Sequence, residues 1–88
     1  MKDYLRYLGL HVADKVTGFR GVVTTVSFDL YGCVQVVVNQ GIGADGKMGE
    51  HLWFDIARLT ILSETPVMER PNFENEKGPA EKPAYGKP

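Results

Sequence analysis

The stretch Gly41-Ile42-Gly43-Ala44-Asp45-Gly46-Lys47 sets three glycines at G-x-G-x-x-G spacing with a lysine directly after the last. In a phosphate-binding loop such glycines let main-chain amides close on a pyrophosphate, and a helix opening at the third glycine points its N-terminus at the anion. Here His51-Leu52-Trp53-Phe54-Asp55 follows within a few residues and reads as a strand, so the helix the chemistry needs is missing. The spacing predicts a flexible hairpin loop with Asp45-Gly46 at its tip.

Metal and nucleophile chemistry fare no better. His11, His51, Cys33 and the aspartates include no two strong ligands spaced like a known pair. Ser27 and Ser63 lack a G-x-S-x-G setting, and the valines after Cys33 suggest a buried thiol of raised pKa. The sequence therefore predicts no catalytic residue, no metal site and no cofactor.

The densest useful cluster is Trp53, Phe54, Asp55 and Arg58. In a structural role Phe54 fills the core, and Asp55 caps a tight turn that Arg58 ends, with an ion pair across it. In a binding role an exposed Trp53 beside Arg58 offers a stacking face and a fork of donors for a planar or anionic ligand. Phe19 and Arg20, in the glycine-flanked turn Thr17-Gly18-Phe19-Arg20-Gly21, are candidates for the same surface, as is Tyr31 in Asp29-Leu30-Tyr31-Gly32. Phe19 is either an exposed contact or a lid folded back over one end of the domain.

The elements that position these residues follow from periodicity. Tyr4, Leu5, Tyr7 and Leu8 recur at helical spacing after Asp3, which predicts a short, Asp3-capped N-terminal helix within residues 1–9. From Leu10 the period becomes two. Leu10 and Val12 alternate with His11 and Ala13; Val22, Thr24, Val26 and Phe28 oppose Val23, Thr25 and Ser27; and Val34, Val36 and Val38 oppose Cys33, Gln35, Val37 and Asn39. His51–Asp55 supplies a fourth strand and Leu59–Leu62 a fifth, after a single helical turn. Five short strands in this layout predict a mainly β, SH3-like barrel over residues 10–63. All five prolines lie at or beyond Pro66, so residues 64–88 read as an extended tail. Val67, Met68, Phe73 and Tyr85 along it, with Tyr4 and Tyr7 at the other end, are candidate oligomer contacts.

A chain of 88 residues with a formal net charge of −1 has a small core and no field to gather a phosphate backbone. Self-association is the expected support for such a core, and nucleic acid is disfavoured as a partner. One cysteine allows no internal disulfide. No run approaches the roughly 18 apolar residues of a membrane span, which leads to the expectation of a soluble intracellular protein without a membrane partner.

Asp14-Lys15-Val16-Thr17-Gly18-Phe19, Gly21, Gly32-Cys33, Trp53-Phe54-Asp55 and Arg58-Leu59 together resemble a family of small uncharacterised phage and prophage proteins. The resemblance covers Leu10 to Leu62. It implies an SH3-like fold and a phage or prophage origin, and carries no catalytic residues across. The N-terminal MKDYLRY and the proline-bearing tail depart from the family's short members. A fainter likeness links Asp14–Val23 to KOW-type ribosomal and transcription-factor barrels, which use basic loops; here Asp14 and Asp29 offset Lys15 and Arg20.

These readings lead to a non-catalytic phage protein acting by stoichiometric contact in the host cytoplasm. As an anti-defence protein it would block a host protein or sequester a small nucleotide-like signal; its partner would be a host or phage protein, or that signal held between subunits of a homo-oligomer. The alternatives are a virion component using the tail as an arm, and a KOW-like RNA-binding module.

Overall fold

The computed structural model describes residues 3–73, and Tyr85 lies outside them. Five strands form one antiparallel sheet: β1 (His11–Asp14), β2 (Arg20–Phe28), β3 (Val34–Asn39), β4 (His51–Asp55) and β5 (Leu59–Ser63), in the order β4-β3-β2-β1-β5. The mainly β expectation holds. No described pairing joins β4 to β5, so the sheet keeps two edges where a closed barrel would have none.

The expected N-terminal helix is a single 3-10 turn, Tyr4–Tyr7, and Asp3 makes no side-chain capping bond to it. Four residues are too few to repay helix nucleation, so packing decides their shape. Tyr7 lies against the core, and the Tyr4 ring meets Phe28 at 6.2 Å.

The core is one cluster of Leu10, Val12, Val23, Val36, Val38, Phe54 and Leu59, which draws on all five strands. Strict alternation along β2 fails at one point. Val23 pairs with Val38 but Thr25 pairs with Val37, leaving Thr24 as an extra residue. This bulge exchanges the two faces of the strand, so Val23 before it and Val26 after it both turn toward the core.

Gly21 shows how tightly β2 approaches the start of the next hairpin: a methyl group there would collide with the Asn39 main chain. In a flat sheet of this order β4 and β1 would stand three strand spacings apart, roughly 14 Å. Phe54 of β4 nevertheless meets Phe19, in the turn between β1 and β2, at 5.2 Å. The sheet is therefore strongly curled.

Residues 64–73 lie on their own chain. Val67 N–H donates to the Gly9 carbonyl at 2.9 Å, Arg70 reaches the Leu8 carbonyl at 2.9 Å and the Arg6 carbonyl at 2.6 Å, and Arg6 pairs with Glu64 at 2.8 Å. Between this strap and β2 runs an apolar cleft of about 290 Å³, lined by Leu8, Val22, Val67, Met68 and Phe73 among others. The described part of the tail thus clasps the N-terminal turn.

Candidate functional site

Asp14 continues the inward row of Leu10 and Val12, so β1 carries a carboxylate into the interior. A buried charge must be paired and hydrogen-bonded to be tolerated. Arg58 Nε donates to Asp14 Oδ1 at 2.8 Å and Arg58 Nη2 to Oδ2 at 2.6 Å; Thr17 adds its main-chain N–H at 2.9 Å and its hydroxyl to Oδ2. The Arg58 guanidinium and the Thr17 donors hold the Asp14 carboxyl well below the usual carboxylate range, against the opposing effect of burial. Asp14 in turn raises the Arg58 pKa, so the pair remains charged.

Around this pair the turn is fixed by its main chain. Asp14 N–H donates to Phe19 C=O at 2.7 Å, Gly18 N–H to Asp14 C=O at 2.8 Å and Lys15 N–H to Arg58 C=O at 2.8 Å. The motif Asp14, Thr17, Gly18, Phe19 and Arg58 is therefore a structural knot tying the β1–β2 turn to the 3-10 turn Ile56–Arg58. Both Asp14 oxygens are engaged within the knot, and Arg58 commits its Nε and one Nη2 donor to them while its side chain stays 39% exposed.

Two expectations are corrected here. Arg58 does not pair with Asp55, which makes no capping bond and accepts from Gln35 Nε2 at 3.1 Å instead. The Arg58 guanidinium lies over the Phe54 ring at 5.3 Å rather than beside Trp53. Trp53 and Phe54 are neighbours on one strand and so face opposite sides of the sheet; the guanidinium goes to the inner ring because Asp14 is inside. Phe19 takes the folded-back position, half-buried on Phe54. Arg20 is exposed at the start of β2.

Tyr31 is 87% exposed at the β2–β3 turn, where Asp29 Oδ1 accepts the main-chain N–H groups of Tyr31 and Cys33 at 2.9 Å each. Cys33 sits outside β3 and is exposed, contrary to expectation: that carboxylate turn holds it off the strand. The Asp29 carboxylate, then partial burial, then Asp55 push its thiol pKa up, which leaves it a poor nucleophile. Among the described residues no group of three or more His, Cys, Asp or Glu is placed to hold a metal ion, and no helix is long and apolar enough to cross a membrane.

The glycine loop is not a free loop. Gln40 N–H donates to Glu50 C=O at 3.0 Å, Gly49 N–H to Gly41 C=O at 2.7 Å and Gly43 N–H to Lys47 C=O at 2.8 Å, so β3 and β4 continue outward as a two-stranded ribbon with Ile42 opposite Met48. Asp45 Oδ1 accepts Lys47 N–H at 3.0 Å and orders the tip around itself rather than around an anion.

Hydrogen-bond phase assigns the faces of this ribbon. The Gln40–Glu50 bond makes Asn39–His51, and with it Val37–Trp53, pairs whose main-chain groups point away from each other. In a ribbon of L-residues such pairs share one face, here the outer one, since Val36, Val38 and Phe54 are buried on the other. The bonds flanking Ile42–Met48 give that pair the same orientation, the change of phase falling at Gly41 with φ +80°. Trp53 at 55% exposure and Ile42 and Met48 at 64% each thus form an outer apolar strip, with Asn39 and His51 between. Trp53 was legible as a candidate, whereas Ile42 and Met48 were hidden among glycines.

Comparison of the chain with protein-family models, with curated proteins and with solved structures finds no match.

Proposed function

We propose that the protein is a non-catalytic binding module of phage origin that acts inside the host by stoichiometric contact with a host protein, using the outer face of the β3–β4 ribbon. One observation carries the proposal: a tryptophan more than half exposed on an edge strand, in line with an exposed Ile42–Met48 pair on a ribbon that projects past the core. Isolated exposed apolar residues are ordinary on a protein surface. An aligned strip held by main-chain hydrogen bonds is a preformed contact surface that loses little entropy on binding.

A protein partner is preferred to a nucleotide-like signal because Asp14 already neutralises the Arg58 guanidinium, and the most exposed side chains of the ribbon's outer face, Trp53, Ile42 and Met48, are apolar. The finer fold reading belongs to the same proposal. The order β4-β3-β2-β1-β5, the 3-10 turn directly before β5 and the curl that brings Phe54 to Phe19 support an SH3-like barrel whose two edges are left unpaired. Such a scaffold displays its function on turns and exposed strands rather than in an enclosed pocket.

The test is capture of a host protein from bacterial lysate by immobilised full-length protein, beside the I42S/M48S variant. A single partner retained at one-to-one stoichiometry and lost with I42S/M48S, at unchanged thermal midpoint, is the expected result. Equal capture by the variant, or a nucleotide released from the purified protein, would overturn the proposal.

A further inference from the structure

We propose that β4 is a self-recognition edge: two copies pair antiparallel through His51–Asp55 about a two-fold axis at Trp53. This inference rests on the main chain and charges of β4 and is independent of which host protein the outer face contacts. Three observations converge on it.

First, β4 is an edge strand, paired with β3 alone among the described strands, and its register with β3 runs without a shift from Asp55 to His51. The bond phase that sends the His51 and Trp53 main-chain groups away from β3 aims them at the open side. An edge of this kind is a template for strand addition unless lysine, proline or a bulge blocks it. His51-Leu52-Trp53-Phe54-Asp55 contains none of these.

Second, the strand is complementary to itself when reversed. With Trp53 opposite Trp53 of the second copy, the two residues exchange both main-chain bonds, and His51 falls opposite Asp55 of the second copy, twice by symmetry. The imidazole and the carboxylate then stand on the same outer face, where Asp55 Oδ1 is engaged by Gln35 Nε2 and Oδ2 can take the imidazole N–H. Any other antiparallel register loses at least one of these two pairs.

Third, the exposed apolar area fits. Leu52 is 42% and Trp53 55% exposed, beside the buried Phe54 on the same strand. Pairing sets the indoles side by side on the outer face and Leu52 against Phe54 of the second copy on the inner face. The two outer apolar strips would then run into one surface across the joined sheets.

The experiment is sedimentation equilibrium of the full-length protein at neutral pH, with H51D and the double variant H51D/D55K. H51D places like charges opposite each other at both ends of the joint and is expected to weaken the dimer about tenfold. Adding D55K restores opposite charges with their positions exchanged and should recover most of that loss. Circular dichroism checks that each variant keeps the sheet. A wild-type protein that stays monomeric at tens of micromolar overturns the inference. So does a dimer indifferent to H51D, or one that H51D weakens and D55K does not recover. The I42S/M48S variant of the capture experiment should leave this dimer intact, so the two proposals can fail separately.

Discussion

At one edge of the sheet β5 carries an extra residue: His11 pairs with Ser63 and Val12 with Ile61, which leaves Leu62 bulged out of the ladder. Behind that edge, Leu59 follows directly on Arg58, whose guanidinium is bound to Asp14. At the other edge β4 keeps an unbroken register with β3, carries no buried charge, and holds Trp53 half out of the surface. A bulge twists an edge away from foreign strands, and a regular strand invites them. One edge is thus closed by irregularity and by charge pairing, while the other is straight and available. The difference teaches that, on the proposed reading, stability and recognition lie on opposite sides of the same small core.

The largest expected effect comes from the residue that joins the two regions. Phe54 belongs to the edge strand β4 by position and to the core by burial, touching Phe19 at 5.2 Å and lying under the Arg58 guanidinium at 5.3 Å. F54A should cost about 3–5 kcal/mol, enough to leave a domain of this size barely folded. Urea unfolding measures it. A cost below about 1 kcal/mol would show that the curl of the sheet does not depend on this contact.

Next in size is removal of the ion pair. R58A strands a buried carboxylate and should lower the thermal midpoint by roughly 10 °C. Hydrogen exchange should locate the loss in the main chain of β1 and β5, with β3–β4 the better protected. Equal loss across all five strands would erase the contrast between the two edges.

The same pair gives a pH signature. Because Asp14 is held well below the ordinary carboxylate range when folded, it contributes stability that is complete above about pH 4 and lost as pH falls through the folded value. D14N should therefore be less stable than the wild type at neutral pH, and the gap should narrow steadily from about pH 4 downward. Paired denaturant titrations at pH 7 and near pH 2.5 check this, and a gap of constant width would assign the stabilisation to shape rather than charge.

How much of this was legible in the sequence depended on whether a residue's role was local. The five strands and the inward row Val36-Val38 follow from a period of two that each strand carries by itself. The 3-10 turn before β5 was visible in the short Ile56-Ala57-Arg58 interval. What escaped was set by distant partners. Asp14 gave no sign of its buried role, since nothing within a few positions shows that Arg58, 44 residues away, will pair with it. The Asp14-x-x-Thr17 spacing did hint at a side chain capping its own turn, which is half of the knot. The bulge at Thr24 was invisible because valine occurs on both sides of it, so either phase of the strand looks apolar. The glycine run was legible as a hairpin with Asp45-Gly46 at its tip, but not as an ordered one, because the order comes from cross-strand main-chain bonds that leave no mark on side-chain composition.

Trp53 provides the smallest effect on stability and the sharpest use of the comparison. Its indole packs only on the outer face, across from Val37, where about half of its surface already meets water. Replacing it with serine removes one cross-strand contact and should cost about 1 kcal/mol or less, a fraction of the cost of F54A one position along the same strand. If exposure there serves recognition, W53S should nonetheless disturb association more than any of the substitutions that weaken the fold only moderately. A thermal melt beside a sedimentation run on the same sample separates the two quantities. Should W53S instead unfold the protein as readily as F54A, the outer face would be part of the core's support, and the division between a stabilising side and a recognising side would not stand.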